Sequence, residues 1–173
     1  MQKFIRILGA LALIGLGVWL WTVCFPSPEK VIRKRLVALA ATASFAAEDG
    51  MIARGYRAEK LAGFFAPDAE IKIEVKGVEP LHVTGRDEVT QLALLAARQL
   101  KGLKVEFLDI NIVLGPDQQT AKANLTARLA VSGQRDFEIV ELNFSLKKVE
   151  RAWLIQQVES VKTLSRIGFA PAA

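Results

Sequence analysis

The chain has 173 residues and a formal net charge of +5. Its length suits one ordinary domain with a hydrophobic core behind a short N-terminal segment. The excess positive charge lies before residue 38, because residues 38–173 carry equal numbers of basic and acidic side chains. A surface that reads nucleic acid needs basic side chains spread over the folded domain. The charge distribution therefore argues against nucleic acid as a partner.

The N-terminal segment contains a long uncharged run. Residues 7–25 follow Lys3 and Arg6 and are long enough to cross a bilayer, which takes roughly 20 apolar residues. Trp19 and Trp21 stand where an aromatic interface belt would lie. The sequence predicts a single-pass anchor over residues 1–27. Cleavage as a signal peptide is the alternative, although such peptides usually have an apolar region of about 7–15 residues.

A basic cluster follows the predicted anchor: Lys30, Arg33, Lys34 and Arg35. Such a cluster is attracted to anionic lipid headgroups by about 1 kcal/mol per basic residue. Basic residues also precede the span, so the positive-inside rule, which compares the basic residues on its two sides, favours neither orientation clearly. Because a short tail before a single span commonly stays in the cytoplasm, we expect the domain to be extracytoplasmic.

Two helices are predicted next. Ser27 and Pro28, followed by an acid, are typical of an N-cap and a first helical position. Apolar residues at a spacing of three to four predict a helix over residues 28–47. A second, shorter helix is predicted over residues 57–65, closed by the Ala-Pro-Asp sequence at 66–68.

From Ala69 the hydrophobic period changes to two, and a Gly- and Pro-containing turn at 77–80 predicts a short hairpin. Thr84 and Asp87 resemble a capping box that opens a third helix, ending at Gly102. Long alternating segments then predict four strands at residues 104–114, 120–132, 136–147 and 152–161. Consecutive strands with such short connections must pair antiparallel. Helices followed by a meander indicate an α+β fold.

Three local sequences accompany this order of elements: Phe64-Phe65-Ala66-Pro67-Asp68-Ala69, Thr84-Gly85-Arg86-Asp87-Glu88 and Trp153. With them, residues 28–164 resemble the NTF2-like superfamily, also called SnoaL-like or ketosteroid-isomerase-like. The resemblance implies a cone, with three helices packed on a curved antiparallel sheet over residues 28–166, and it implies homodimers that pair through the sheet. Members include isomerases, dehydratases, ligand carriers and scaffold subunits, so the fold alone does not specify an activity. Residues 167–173 form a small-residue tail that we expect to be loose.

Three polar side chains are candidates for the interior of the cone. His82 is the only histidine and can titrate near neutral pH, and Tyr56 is the only tyrosine and can donate a hydrogen bond. Glu138 shares a strand face with Val140 and Leu142, which favours an inward carboxylate. The structural alternatives are an exposed strand histidine and a solvated acid near a strand end. We predict no catalytic set, no cofactor and no metal. One histidine and the single Cys24, which lies in the predicted anchor, cannot form a zinc site, and a site made of carboxylates alone is the alternative that stays open.

The strand at residues 120–132 has an apolar face interrupted by Ala121, Ala123 and Ala127. Small side chains leave room for a large neighbour, which is either a packed helix, the option we favour, or a ligand. The sequence thus predicts a membrane-tethered, non-catalytic module that self-associates and binds a protein partner or a small apolar ligand. The alternative is an isomerase, dehydratase or hydrolase that uses the cone as its active site.

Overall fold

The computed structural model describes residues 27–74, 80–134 and 137–163. The chain divides into two units, residues 1–31 and 32–173, and only residues 27–31 of the first are described. Apart from Ser27, the predicted anchor lies outside the described residues, as do most of the hairpin turn and the predicted tail. Within the described ranges, no helix is both long enough and apolar enough to cross a membrane.

The described residues form three helices and six strands. The helices are α1 (Pro28–Ala43), α2 (Met51–Ala62) and α3 (Gly85–Gln99). The strands are β1 (Phe65–Ile73), β2 (Leu81–Thr84), β3 (Leu103–Leu114), β4 (Thr120–Val131), β5 (Phe137–Val149) and β6 (Ala152–Thr163). The strands form one sheet in the order β2-β1-β6-β5-β4-β3. This arrangement confirms the predicted α+β fold with its helices in the first part of the domain.

The sheet is mixed, so the expectation of a wholly antiparallel sheet was wrong. The hairpin β1–β2 and the meander β3–β4–β5–β6 are antiparallel, as predicted. Strand β1, however, pairs parallel with β6, with Ile71 opposite Val158. Antiparallel pairing was predicted from short connections, which join only consecutive strands. Strands β1 and β6 are separated by most of the domain, so their pairing could not be predicted in this way.

The second helix was predicted at the wrong position. It begins at Met51 and ends at Ala62, before Phe64 and Phe65. The Phe64 carbonyl accepts a hydrogen bond from the Ile155 N–H at 3.0 Å, and Phe65 lies opposite Ile155 in the β1–β6 register. Pairing with β6 therefore overrides the helical spacing of these phenylalanines. The Ala-Pro-Asp sequence that was expected to close the helix lies inside β1, where the register shifts between Phe65 and Glu70.

The start of α3 also differs from the predicted capping box. The Thr84 side chain makes no capping hydrogen bond, and the Thr84 N–H donates to the Glu88 carboxylate at 2.7 Å. The acid that caps the helix is thus one position later than the predicted Asp87. Gly85 has a φ of +78°, which brings the chain into α3 through a left-handed conformation.

The hydrophobic core lies between the helices and one face of the sheet. Ile32 and Leu36 of α1 and Ile155 of β6 are fully buried. The predicted apolar face of β4 is buried as well: Ala121, Ala123, Leu125 and Ala127. The opposite face of β4 is polar and more exposed. The sheet therefore presents one apolar side to the helices and one polar outer side.

Candidate ligand-binding site

A cavity of about 310 Å³ lies between the helices and the inner face of the sheet. Side chains from all three helices and from five strands line it: Leu39, Ala43, Leu61, Phe65, Ile71, Ile73, Leu92, Val105, Phe107, Ala127, Leu129, Glu138, Val140, Leu142, Phe144 and Val158. Among these described lining residues, Glu138 has the only polar side chain. The cavity can therefore accept an apolar molecule that meets one carboxylate.

Alanines on β4 make room for this cavity. Ala127 lies opposite Phe107 of β3 and Val140 of β5. The rings of Phe107 and Phe144, on the two strands that flank β4, meet edge to face with centroids 5.8 Å apart. Neighbouring strands are spaced about 4.8 Å apart, so two rings on alternate strands can approach this closely only above small side chains. The sequence reasoning predicted space here but missed the phenylalanine pair that uses part of it.

Glu138 stands at one end of the cavity. In the strand register it lies opposite Leu129, which in turn lies opposite Val105, and all three residues line the cavity. The Glu138 side chain is partly exposed. This position lets the carboxylate contact both the apolar interior and solvent.

Tyr56 and His82 lie away from the cavity. Tyr56 is 68% exposed on α2. His82 is exposed on β2, opposite Lys72 of β1. The structure therefore does not bring the three candidate residues together, and only Glu138 lines the cavity.

A second cavity of about 200 Å³ adjoins the first among the helices. The two cavities share five lining residues: Ala43, Leu61, Phe65, Ile71 and Leu92. The second differs in having polar side chains at its edge, from Thr42, Arg54 and Arg57. The shared wall makes the two cavities neighbouring parts of one apolar interior.

Arg54 is buried, at 9% exposure, and holds the helices together. Its guanidinium contacts six backbone carbonyls, those of Ala46, Ala47, Asp49, Ala97, Leu100 and Lys101, at 2.5–3.2 Å. It also lies 4.9 Å from the centroid of the Phe45 ring. The last carbonyls of a helix have no partner within the helix, and Arg54 supplies one at the end of α3. The sequence reasoning missed Arg54, because nothing local distinguishes it from the exposed cations of α2.

The described ranges contain no group of three or more histidine, cysteine, aspartate or glutamate side chains arranged to hold a metal ion. The ion pairs there lie at partly exposed positions: Arg57 with Asp49, Lys72 with Glu70, and both Lys104 and Arg128 with Glu106. None of these pairs lies at the 310 Å³ cavity, so Glu138 contributes the charge at its wall.

Comparison with known proteins identifies the fold. No family model matches the chain, and no curated protein matches it. An NTF2-like protein with a cystatin-like fold from Novosphingobium aromaticivorans is 17% identical, with a TM-score of 0.60 over 86% of this chain and 88% of that one. A candidate scytalone dehydratase from the same organism is 17% identical, with a TM-score of 0.58 over 84% of this chain and 89% of that one. A protein of unknown function from Mycobacterium tuberculosis is 18% identical, with a TM-score of 0.58 over 83% of this chain and 78% of that one.

The fold is therefore the NTF2-like, cystatin-like fold, with three helices on a six-stranded mixed sheet. At identities of 17–18% these likenesses show the fold alone. Because one fold can host many unrelated activities, the function has to be argued from the cavity.

Proposed function

We propose that this protein is a membrane-tethered NTF2-like module that binds a small apolar ligand between its helices and its sheet. The observation that carries the proposal is the cavity of about 310 Å³, whose described lining is apolar except for Glu138. Small-molecule sites are typically concave, about 300–1,000 Å³ in volume and mostly apolar, with a few polar groups that orient the ligand. The cavity has this character and a size that suits a compact ligand.

Ligand binding is tested on the full chain by native mass spectrometry after release from a non-ionic detergent. We expect a retained mass of small-molecule size. In parallel, naphthalene serves as a neutral apolar probe, and we expect it to shift the methyl resonance of Ala127, which lines the cavity. A chain that carries no extra mass and whose Ala127 resonance does not respond would contradict the proposal.

The membrane tether rests on the sequence. Residues 7–25 form an apolar run of spanning length, and Lys30, Arg33, Lys34 and Arg35 follow it as a cluster suited to anionic headgroups. We place the domain on the extracytoplasmic side. Protease added to right-side-out membrane vesicles should digest a C-terminal tag, whereas a protected tag would place the domain in the cytoplasm.

We also propose that two copies associate through the outer face of the sheet. On that face Asn111, Asn124 and Asn143 are successive register partners across β3, β4 and β5. Amide side chains both donate and accept hydrogen bonds, so a row of them can pair with the same row of a second copy. Sedimentation of the full chain should give a dimer that Asn124→Arg converts to a monomer. A monomeric wild type would contradict this part of the proposal.

An enzymatic alternative is favoured by one observation, the carboxylate of Glu138 at the wall of an apolar cavity. Such a group can take a proton from a bound substrate, and one of the structural neighbours is a candidate dehydratase. The ligand recovered by mass spectrometry is the substrate to test. Conversion of that ligand by the wild type, with binding but no conversion by Glu138→Gln, would decide for an isomerase or dehydratase.

A further inference from the structure

Two arginines donate hydrogen bonds to backbone carbonyls at the junction of α2 and β1. Arg35 of α1 donates from Nη2 to the Gly63 carbonyl at 3.1 Å. Arg86, in the first turn of α3, donates from Nε to the Phe65 carbonyl at 2.7 Å. Phe64 lies between these two anchor points, and the Arg35 guanidinium sits 5.0 Å from the centroid of its ring. Two half-buried guanidinium groups are thus held at carbonyls two residues apart.

The described residues provide no acid to neutralise this pair. No described carboxylate lies within ion-pair distance of Arg35 or Arg86. The Glu88 carboxylate, close to Arg86 in sequence, accepts the Thr84 N–H instead. Burial, followed by the positive charge of Arg86, lowers the pKa of the Arg35 guanidinium. The two cations therefore repel each other in a site that solvent only partly screens.

The Arg35 side chain also has an unused donor. Its Nε is buried and has no hydrogen-bond partner among the described residues. Almost all buried polar groups in proteins are satisfied, and an exception calls for an explanation such as a bound water or ion. Arg86 donates a hydrogen bond to the described residues only from Nε, so its two terminal nitrogens have no acceptor among them. The pair thus offers several donors to a ligand.

We propose that Arg35 and Arg86 together bind a phosphate group, carried either by a soluble phosphate or by a lipid headgroup. A guanidinium presents planar, parallel N–H donors that match phosphate oxygens. A dianion between the two arginines would cancel their repulsion and accept the donors that the protein leaves unused. The site is separate from the ligand cavity, since neither arginine lines it, and it does not depend on the proposed ligand binding. A lipid headgroup as the source of the phosphate rests on the proposed membrane tether, to which Arg35 also belongs, whereas a soluble phosphate does not.

The first experiment measures the Tm of the full chain in non-ionic detergent, in inorganic phosphate and in chloride at equal ionic strength. We expect phosphate to raise the Tm by several degrees and expect Arg35→Gln and Arg86→Gln to abolish the rise. Arg35→Lys keeps the charge but loses the planar fork, and it should weaken phosphate binding at least threefold. Arg98→Gln is the matched control, because it removes an exposed guanidinium from α3, the helix that carries Arg86, and it should keep the rise.

A second measurement uses only the wild type, so it tests the proposal even if a variant fails to fold. In the ¹⁵N-labelled wild type, phosphate should shift the Nε–H resonances of Arg35 and Arg86 and leave that of exposed Arg98 in place. Nanodiscs of phosphatidylglycerol without free phosphate distinguish the source: a shift there assigns the phosphate to a lipid headgroup, and a shift only with free phosphate assigns it to a soluble ligand. Equal Tm gains in all variants would mean an adventitious ion only. That result, or unchanged Nε–H resonances with both phosphate sources, would overturn the proposal.

Discussion

Phe107 and Phe144 contact each other edge to face, with centroids 5.8 Å apart, although β4 lies between their strands. The contact depends on β4, which places Ala127 opposite Phe107 and Ala123 opposite Phe144. The space above the sheet is therefore set by side-chain size on one strand. A change in that size should alter the cavity without altering the backbone.

Ala127→Leu should fill the cavity. Ala127 is 3% exposed and lines the cavity, so added methyl groups would occupy the space that the proposed ligand needs. Extra methylenes in a well-packed core cost about 1–3 kcal/mol, and here the free volume should keep the loss of unfolding free energy below about 1 kcal/mol. Titration with naphthalene should show at least tenfold weaker binding.

The matched control is Ala130→Leu, which makes the same change on the same strand outside the cavity lining. We expect it to bind naphthalene like the wild type. Equal loss of binding in both variants would show that the probe binds elsewhere.

Arg54→Met should be strongly destabilising. The guanidinium contacts six carbonyls from the loop after α1 and the end of α3, and hydrogen bonds to a charged group contribute about 1.5–3 kcal/mol each. Losses within one network do not add, so we expect a decrease of about 3 kcal/mol in the free energy of unfolding. Urea denaturation followed by circular dichroism measures it.

Arg57→Met provides the comparison on the same helix. Arg57 is 41% exposed and contacts the Ser44 carbonyl and the Asp49 carboxylate at 3.0 and 3.5 Å. Exposed ion pairs contribute about 0.2–1 kcal/mol, so the loss should be about 1 kcal/mol or less. If the two variants lose the same stability, the carbonyl network around Arg54 is not a principal support of the helices.

Two glycine-to-alanine substitutions should have opposite signs. At Gly85, φ is +78° and an added Cβ would lie 3.2 Å from the Pro67 carbonyl oxygen, so Gly85→Ala should lower the Tm, at a cost of about 1–2 kcal/mol. Gly55 lies inside α2 with nothing within 4 Å of an added Cβ. Alanine there should stabilise the protein by about 0.5–1 kcal/mol. Thermal denaturation of both variants checks the signs, and stabilisation by Gly85→Ala would contradict the left-handed entry into α3.

Asp117 should titrate below the usual range of an aspartate. The Thr120 hydroxyl donates to its Oδ1 at 2.8 Å, and the backbone N–H groups of Gln119 and Thr120 donate at 3.0 Å. The Thr120 hydroxyl first, and then these N–H groups, lower the pKa of Asp117. NMR titration of its carboxyl carbon measures this pKa, and Thr120→Val should raise it. A wild-type carboxyl that titrates as in an unfolded peptide would contradict the turn geometry.

The same shift gives a pH dependence of stability. Because the folded-state pKa lies below the unfolded value of about 3.9, ionised Asp117 favours the folded state. That contribution is complete above the unfolded pKa and disappears as the pH falls through the folded one. Asp117→Asn should therefore be less stable than the wild type at neutral pH, and the difference should shrink under acid conditions. A difference that stays constant with pH would exclude the carboxylate as its cause.

The meander was predictable because its signals are local. Alternating side chains and the turn residues between them predicted the strands β3 to β6 to within about two residues, and the same alternation led to Glu138 as an inward-facing candidate. The early part of the domain was harder to predict. Phe64 and Phe65 follow a helical spacing, yet a distant strand, β6, determines their conformation.

The candidate sites were hard to predict for the same reason, because residues distant in the sequence determine them. Arg35 donates to a carbonyl 28 positions away in the sequence, and three of the six carbonyls around Arg54 lie 43 to 47 positions away. No motif near either residue indicates such a partner. Tyr56 and His82 were singled out because each is the only one of its type, which carries no information about position. Burial and register, which the sequence does not fix for single polar residues, decide which of them reach the interior.

The placement of β6 between β1 and β5 has a consequence for synthesis of the chain. The ribosome releases β1 and β2 first and β3 to β5 later, so before residues 152–163 emerge the sheet consists of two separate pieces, a hairpin and a three-stranded meander. Each piece then has an open edge that can pair with another chain. The last strand to be made joins the two pieces, and a nascent chain stalled before residue 152 would expose two strand edges that are internal in the finished protein.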